Sequence, residues 1–550
     1  MALGTVDAEQ HGEFYTEDKN LYHDSTKEIS GQDSEHRTSD DAAVRDDRDM
    51  KRMGKQQQFR RNFRRFSTLS FVCVLTATWE FLLIANYSGL ANGGRPGFFW
   101  SYVWSFLGFG VIIASLAEMS SMAPTSGGQY HWVSEFAPVK YQKFMSYIAG
   151  WMSVLSWQAA TASGGFLGGG IIQGLIIINH PDYEAPVWHA VIIAIVLTIG
   201  INLFNIYGSR LLAPSQNPLM VLHIFLFIAI CVVLWVMAPH PSAHDVFLEF
   251  ENFGGWSSMG LSLMVGQISA LFGLMCNDAA AHMAEEVKDA GKTVPEAMFW
   301  SYIVNGIMGF VVVLSFVYAI PSIDDSLEDP TGFPFLYVFV QAMPNTGTNV
   351  ICAFLLVLFI ASSIAFNAST ARQTFAFARD NGLPFSGWIS KIDPKLLIPA
   401  NAVWFSCILS VLLNLINLGS TAAFNAIMSL QLVALMFTYI MSISCVLYKR
   451  VTAPETLPPA RWSLGRLGVP FNIASIIYST FAFFWCFWST ETPVNLENFN
   501  WAPVIFMIVL ITAIVMYFVK GRKVYHGPVV TVEGFLAERR LEGFGPTATN

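Results

Sequence analysis

A single carboxylate lies inside the first long apolar stretch of the sequence. Glu80 stands about midway between Phe66 and Leu90, and no basic residue lies close to it along the chain. An ionised side chain at the centre of a bilayer costs about 2.5 kcal/mol or more, so this carboxylate needs a partner or a function. It can receive an ammonium group, take up a proton or pair with a distant helix. The alternative is a protonated Glu80 that fixes helix packing through a hydrogen bond.

A second group of polar residues follows a weak point in another apolar stretch. Gly273 disfavours a helix, and the side chains of Asn277 and Asp278 compete for backbone hydrogen bonds, so we expect a helix break just before Asn277. A broken helix leaves free peptide groups, and together with the dipoles of the two half-helices these can hold a charged ligand near the bilayer midplane.

Ionisable residues continue beyond this break at helical spacing. Asp278, His282 and either Glu285 or Glu286 would share one helix face. Asp278 can therefore pass a proton onward by way of His282. The alternative is that Asp278 satisfies His282 and that the glutamates are solvated at the helix end. A metal site made from His282 and Glu285 lacks further ligands, so we expect no metal and no cofactor.

The chain that positions these groups has the composition of a membrane protein. Of its 550 residues, 53% are hydrophobic and only 13% are charged, whereas soluble proteins carry about 25% charged residues. Apolar runs of about 20 residues, the length that crosses a bilayer, recur from Phe66 onward. They predict an all-α integral membrane protein of about twelve helices, at residues 66–90, 98–119, 144–178, 187–205, 218–238, 257–283, 296–320, 348–378, 399–418, 422–447, 470–490 and 501–519.

The cysteines and the N-terminus give no sign of secretion or redox chemistry. The first 65 residues are polar and precede an apolar run long enough to span, so we expect no cleavable signal peptide. All seven cysteines fall inside predicted spans without metal-binding or disulfide spacing, and we interpret them as packing residues.

The distribution of lysine and arginine predicts the orientation. Such residues concentrate in cytoplasmic loops. With a cytoplasmic N-terminus and twelve spans, every lysine and arginine after residue 50 falls in or beside a cytoplasmic segment, except Arg95. Outward loops such as 240–251 and 321–329 carry acids and no bases. An error of one span would scramble this alternation, so both termini are predicted to be cytoplasmic.

Three segments follow from this count. Residues 1–65 are predicted to be a disordered cytoplasmic tail, because the stretch to Asp49 lacks the apolar content to fold. Its basic end, residues 51–65, either binds anionic lipid head groups or only fixes the topology. Residues 66–519 are predicted to form the twelve-helix membrane domain, and residues 520–550 a cytoplasmic C-terminal tail.

Four sequence motifs, taken in order, resemble the amino acid, polyamine and organocation transporter superfamily. The resemblance is strongest to its branch of fungal amino acid, GABA and choline permeases. The motifs are ATWE at 77–80 with NGG at 92–94, SLAEM at 115–119 with PTSGGQYHW at 124–132, DAAAHMAEEVKDAGKTVP at 278–295, and RQTFAFARDNGLP at 372–384.

The resemblance implies a fold of two inverted five-helix repeats with spans 1 and 6 unwound at the centre, followed by two peripheral spans. It brings together the residues flagged above and implies an aromatic gate at Phe272 or Trp79. The substrate site would be lined by Ala77, Thr78, Trp79, Glu80, Phe81, Phe272, Gly273, Leu274, Met275, Asn277 and Asp278.

The resemblance also draws attention to span 5. Many relatives carry a lysine there whose ammonium substitutes for a sodium ion, and matching Asn217-Pro218-Leu219 onto the motif places His223 at that position. A titratable imidazole in place of a fixed cation favours proton coupling, while sodium coupling, uniport and a packed neutral histidine remain open. The predicted coupling residues are Glu80, His223, Asp278 and His282.

These features predict a secondary transporter, proton-coupled, for a small amine or amino acid such as choline, GABA or a polyamine. The alternative is a nutrient sensor that binds such a ligand without significant flux. The sequence contains no GxSxG, HExxH or GxxxxGK[ST] pattern, so neither an enzyme nor an ATP-driven pump is expected. The expected partners are the substrate, protons and the lipid bilayer, with no nucleic acid, and the expected location is the plasma membrane rather than the vacuole.

Overall fold

The computed structural model describes residues 34–418, 423–496, 498–525 and 527–528. Within these ranges the regular structure is helical, and β-pairing is limited to two isolated bridges. Eleven of the described helices are long and apolar enough to cross a membrane, and the shorter apolar helix Ala400–Leu415 lies where the ninth span was predicted. The predicted all-α membrane fold is therefore confirmed.

We number the spans 1 to 12 along the chain. Their helices are Arg65–Thr76, Thr78–Ile84 and Tyr87–Ala91 (span 1), Gly94–Met122 (2), Gln142–Asn179 (3), Val187–Tyr207 (4), Ser209–Met237 (5), Met259–Gly266, Ile268–Leu274 and Ala279–His282 (6), Ala290–Ala319 (7), Asn345–Arg379 (8), Ala400–Leu415 (9), Ala423–Thr452 (10), Gly468–Trp485 (11) and Ala502–Met516 (12). The α-helices outside the spans are Ser34–Arg52, Gln129–Phe136, Ala243–Phe247, Ile323–Leu327, Pro334–Ala342, Ser386–Ile389 and Arg522–Val524.

Burial separates central spans from peripheral ones. In the most apolar 18-residue window of span 1, 94% of the residues are buried, and the value is 72% in both span 6 and span 10. In span 12 the value is 17%, and in span 4 it is 28%. Apolar helices that expose most of their surface need a lipid solvent, so spans 4 and 12 face the bilayer while spans 1 and 6 form the centre.

Spans 1 and 6 are interrupted, as predicted. Ala77 separates two helices of span 1, and residues 275–278 separate two helices of span 6. Each break contains a residue other than glycine in the left-handed region, with φ of 41° at Ala77 and 69° at Cys276. Such backbone costs on the order of 1–3 kcal/mol and is found where the structure uses it.

One end of the bundle carries the basic residues, and we call it the basic end. There Arg52 pairs with Glu135, Lys55 pairs with Asp380, and Arg461 pairs with Asp49. The predicted N-terminal tail meets the bundle at this end. Its residues 1–33 lie outside the described residues, and from Ser34 the chain forms a helix. Of the predicted C-terminal tail, little is described beyond Val524.

Candidate substrate-binding site

All eleven residues predicted to line the substrate site are buried. Ten of them lie on the helix segments that flank the two breaks, or in the break of span 6, and Ala77 is itself the break of span 1. The first N–H groups of the helix Thr78–Ile84 have no intrahelical acceptor, because four such groups are left over at any helix start. The site therefore combines unpaired peptide groups with the acidic side chains described next.

Glu80 faces the protein interior and not the lipid. Its residue surface is 1% exposed, and its Oε1 lies 2.6 Å from Nδ1 of His223, which is fully buried on span 5. The two side chains come from positions 143 residues apart in the sequence. The structure thus joins two of the four predicted coupling residues in one contact.

The neighbours of His223 fix where its protons lie. Asn305 on span 7 donates its Nδ2 to the carbonyl of Cys73 at 2.9 Å and to Oγ1 of Thr76 at 2.7 Å. The Oδ1 of Asn305 lies 3.3 Å from Nε2 of His223, and because this oxygen can only accept, Nε2 carries a proton. A second proton must lie between Nδ1 and Glu80, since two acceptors repel each other at 2.6 Å. The geometry of Glu80 and His223 therefore allows the pair to share one proton.

The second carboxylate oxygen of Glu80 makes no hydrogen bond to the described residues. Oε2 is buried and has no hydrogen-bond partner among the described residues, and the same is true of the indole Nε1 of Trp79. The Trp79 ring packs against His223 at 5.5 Å and Phe227 at 6.2 Å between centroids. A buried polar atom without a partner costs about 1–3 kcal/mol, so both atoms are suited to receive a polar ligand.

Asp278 is the centre of a second buried cluster. Its Oδ2 accepts from Nε2 of Gln129 at 2.5 Å, and its Oδ1 accepts from the hydroxyl of Tyr439 at 2.7 Å. His282 donates Nδ1 to the carbonyl of Ser126 at 3.0 Å, while its Nε2 lies 3.6 Å from Asp278 and is otherwise unpartnered. Protonation of that nitrogen would complete an ion pair, so this cluster can hold a further proton.

Glu285 and Glu286 are buried and paired, so the alternative in which they are solvated is wrong. Arg379 donates to both oxygens of Glu285 at 2.8 and 3.0 Å, and Nε of Arg372 donates to Glu286 at 2.7 Å. The last helix of span 6, Ala279–His282, ends at His282 and a 3₁₀ turn follows. The glutamates therefore do not continue the helical face of Asp278 and His282, contrary to the prediction.

An aromatic layer covers the site on the side away from the basic end. The ring of Phe81 meets Phe272 edge-on at 5.3 Å, and it also contacts Phe359 and Phe366 at 5.7 and 6.2 Å. Phe272 in turn reaches Phe424 on span 10 at 6.1 Å. Of the two predicted gate residues, Phe272 belongs to this layer, whereas Trp79 packs toward span 5.

The remaining residues of the span 6 break are held by side chains. Asn277 donates to the carbonyl of Leu274 at 3.0 Å and accepts from Ser301 at 3.1 Å. Gln431 on span 10 points its Nε2 at the sulfur atoms of Met275 and Cys276, at 3.3 and 3.5 Å, and its Oε1 is buried and unpartnered.

Four side chains of the site were not singled out from the sequence. They are Gln129, Asn305, Gln431 and Tyr439. A signal did exist for Asn305 and Gln431, since each is an uncharged polar residue inside an apolar span. Such residues are common enough in membrane helices that only the contacts of the folded chain distinguish them.

Gly273 allows spans 1 and 6 to cross closely. A Cβ at this position would lie 2.7 Å from the branched Cγ of Leu82 and 3.3 Å from the carbonyl of Thr78. We expect Gly273→Ala to lower the stability of the purified protein by about 1–3 kcal/mol, as overpacking does, with a drop in its thermal unfolding midpoint. Gly260→Ala is the matched control, because a Cβ there meets nothing within 4 Å. Equal midpoints for the two variants would contradict the close crossing.

Comparisons with known proteins show the family of this chain. A family model described as "Amino acid permease" matches residues 64–511. The choline transporter of Saccharomyces cerevisiae is 28% identical over 85% of this chain and 83% of its own length. Amino-acid permease 2 of Neurospora crassa is 29% identical over 88% of this chain and 89% of its own. Among solved structures, a manganese transporter of Eremococcus coleocola covers 93% of this chain and 98% of its own, with 13% identity and a TM-score of 0.49. The family match spans most of the sequence, and the chain belongs to the amino acid permease family.

Proposed function

We propose that this chain is a proton-coupled secondary transporter that carries a small cationic or zwitterionic amine by alternating access. Membership of the amino acid permease family makes it a transporter and not an enzyme. The finer proposal rests on one observation, the buried 2.6 Å contact between Oε1 of Glu80 and Nδ1 of His223.

The shared proton provides a route to coupling. With the proton in place, Glu80 is held against His223 and its Oε2 stays directed to a ligand. Without it, the carboxylate would face the lone pair of Nδ1 at 2.6 Å, and repulsion would drive the two side chains apart. We propose that this positioning of Oε2 outweighs the repulsion between the two cations, so that substrate and proton favour each other's binding, as symport requires.

The substrate class follows from the same carboxylate. A buried carboxylate with an open oxygen is stabilised by an ammonium group that pairs with it, as amino acids, GABA and polyamines could provide; choline would pair by charge alone. The substrate carboxylate of a zwitterion would bind the free peptide N–H groups at the helix breaks. Acidic loops at the end away from the basic end, with Arg95 as their single basic residue, would attract cations electrostatically.

Asp278 and His282 offer a second position for the proton. His282 is the last residue of the helix Ala279–His282 of span 6, on the side of the basic end. We propose that a proton released from the Glu80 pair passes to Asp278 and then to His282 before it leaves the protein. Gln129 and Tyr439 support this role, because two neutral donors keep the Asp278 carboxylate available as an acceptor.

The orientation and the location are also proposals. Lysine and arginine concentrate at the basic end, which supports a cytoplasmic position for that end and for both termini. We propose residence in the plasma membrane, where an inward proton gradient would drive uptake.

A substrate panel tests the proposed function. The full chain is expressed in cells or reconstituted in liposomes, and uptake of labelled choline, GABA, a polyamine and amino acids is measured with and without a proton uncoupler. We expect one class to accumulate above its external concentration and the uncoupler to abolish that accumulation. Uptake that is indifferent to the uncoupler would contradict proton coupling. Saturable binding without accumulation would instead identify a nutrient sensor.

A further inference from the structure

Residues 45–63 form a strap across the basic end, which we call the N-terminal strap. It comprises the end of the helix Ser34–Arg52 and the extended segment that leads to span 1. Its apolar side chains are anchored in the bundle, with Met50, Met53, Phe59 and Phe63 between 1% and 4% exposed. A segment rich in arginine and aspartate is thus held by its few hydrophobic residues.

The strap binds the inner end of span 6 through the backbone. Phe63 donates its N–H to the carbonyl of Glu286 at 3.1 Å, and the N–H of Lys288 returns a bond to the carbonyl of Phe63 at 2.9 Å. Gln57 donates Nε2 to the carbonyl of Glu285 at 2.7 Å, and Arg61 binds the carbonyl of Val287. These carbonyls lie just after the helix Ala279–His282 of span 6, which carries His282 and is preceded by Asp278.

The strap also caps span 7. The carboxylate of Asp46 accepts the N–H groups of Asp289 and Ala290, each at 2.9 Å, at the start of the 30-residue helix Ala290–Ala319. A carboxylate at that position complements the helix dipole. Spans 6 and 7 are therefore tied to the same short segment.

On its other side the strap is tied to unbroken elements. Lys55 pairs with Asp380, which directly follows span 8, and the two side chains are 6% and 8% exposed. Arg52 pairs at 2.7 Å with Glu135, in the helix that precedes span 3. Burial raises the pKa of Glu135, but Arg52 and His131 outweigh this and hold it at about 2, so the carboxylate is charged.

We propose that the N-terminal strap keeps the basic end of the transporter closed. It must detach either from spans 6 and 7 or from span 8 and the helix before span 3 before substrate can leave at that end. It joins the interrupted span 6 and its neighbour span 7 to span 8 and the helix before span 3. Opening the site toward the basic end requires these two groups to separate. The inference rests on the proposed alternating access, and it adds a control element that lies outside the substrate site.

The rate at which Cys276 can be labelled from the basic end tests the role of the N-terminal strap without any substrate. This cysteine lies in the break of span 6, is 1% exposed and can be reached from the basic end only if that end opens. Inside-out vesicles containing the full chain are treated with a membrane-impermeant maleimide, and Cys276→Ser supplies the background. We expect Lys55→Ala to raise the labelling rate of Cys276 by about fivefold or more, because the population of the open state increases.

Two further variants exclude simpler explanations. Exchange of the pair, Lys55→Asp with Asp380→Lys, is expected to restore slow labelling. Lys51→Ala removes an exposed pair with Asp47, whose side chains are 68% and 60% exposed, and should label like the unmodified chain. If Lys55→Ala fails to reach the membrane, Arg52→Gln removes the more exposed ion pair of the strap, that with Glu135, and is expected to show the same increase.

Labelling at the unmodified rate in a folded, membrane-inserted Lys55→Ala or Arg52→Gln variant overturns the proposal. Because the assay needs neither substrate nor proton gradient, it separates the two proposals. Faster labelling of Cys276, together with no uptake of any substrate in the panel, would support the role of the N-terminal strap and reject the proposed function.

Discussion

Glu80→Gln is expected to reduce uptake of a cationic amine roughly 100-fold while leaving the amount of protein at the cell surface nearly unchanged. Glutamine has almost the same shape and can still donate to Nδ1 of His223, so the packing around this buried contact is kept. It cannot carry a charge or share a proton. A hydrogen bond to a charged group contributes about 1.5–3 kcal/mol, and about 1.4 kcal/mol corresponds to a factor of ten.

The measurement is labelled uptake normalised to surface-biotinylated protein. Glu455→Gln is the matched comparison, since it makes the same change at an exposed position between spans 10 and 11, outside the substrate site and the acidic loops. Uptake by Glu80→Gln at the full rate would show that the carboxylate serves helix packing, the alternative that its sequence context left open.

His223→Gln is expected to separate substrate movement from the proton gradient. Without the imidazole, the contact can no longer bind and release a proton between Nδ1 and Oε1, although the neighbouring Asn305 can still be satisfied. In liposomes with an imposed inward proton gradient, we expect the unmodified protein to accumulate substrate about tenfold, and the variant to stop near equal concentrations on both sides.

Exchange of substrate across the membrane should persist in His223→Gln, because it requires no net proton flow. His244→Gln serves as control, since His244 lies outside the spans with its side chain 72% exposed. Accumulation by His223→Gln that still follows the proton gradient would move the coupling site elsewhere, with Asp278 and His282 as the next position to examine.

The break in span 6 was within reach of sequence reasoning, whereas the break in span 1 was implied only by the resemblance and the partners of the acidic residues were not predicted. Gly273 and Asn277 weaken a helix locally, so a break in span 6 could be predicted from the residues in it. The contact of Glu80 with His223 depends on how spans 1 and 5 pack, and the match of a motif in span 5 only indicated that His223 was worth attention. Gln129 reaches Asp278 from 149 residues away, and nothing near either residue indicates the contact.

Glu285 shows where local reasoning failed. Continued helical spacing placed it on the face of Asp278 and His282, and an exposed position at the helix end was the alternative. In the structure a turn after His282 redirects the chain, and the bidentate bond from Arg379 buries the carboxylate. A buried acid is stable only with such a partner, and the partner is supplied by another span.

By itself, the sequence predicted that this protein lies in a membrane, that it has about twelve spans, where span 6 breaks and which acidic groups need an explanation. These properties follow from hydrophobic length and from local backbone preferences, which act between near neighbours in the chain. Only the tertiary structure decided which donor each acid received, that Glu80 meets His223, and which elements the segment before span 1 contacts. Those contacts are set by packing between distant segments, because in an interior without water every buried polar group must find its partner on whichever helix the fold brings beside it.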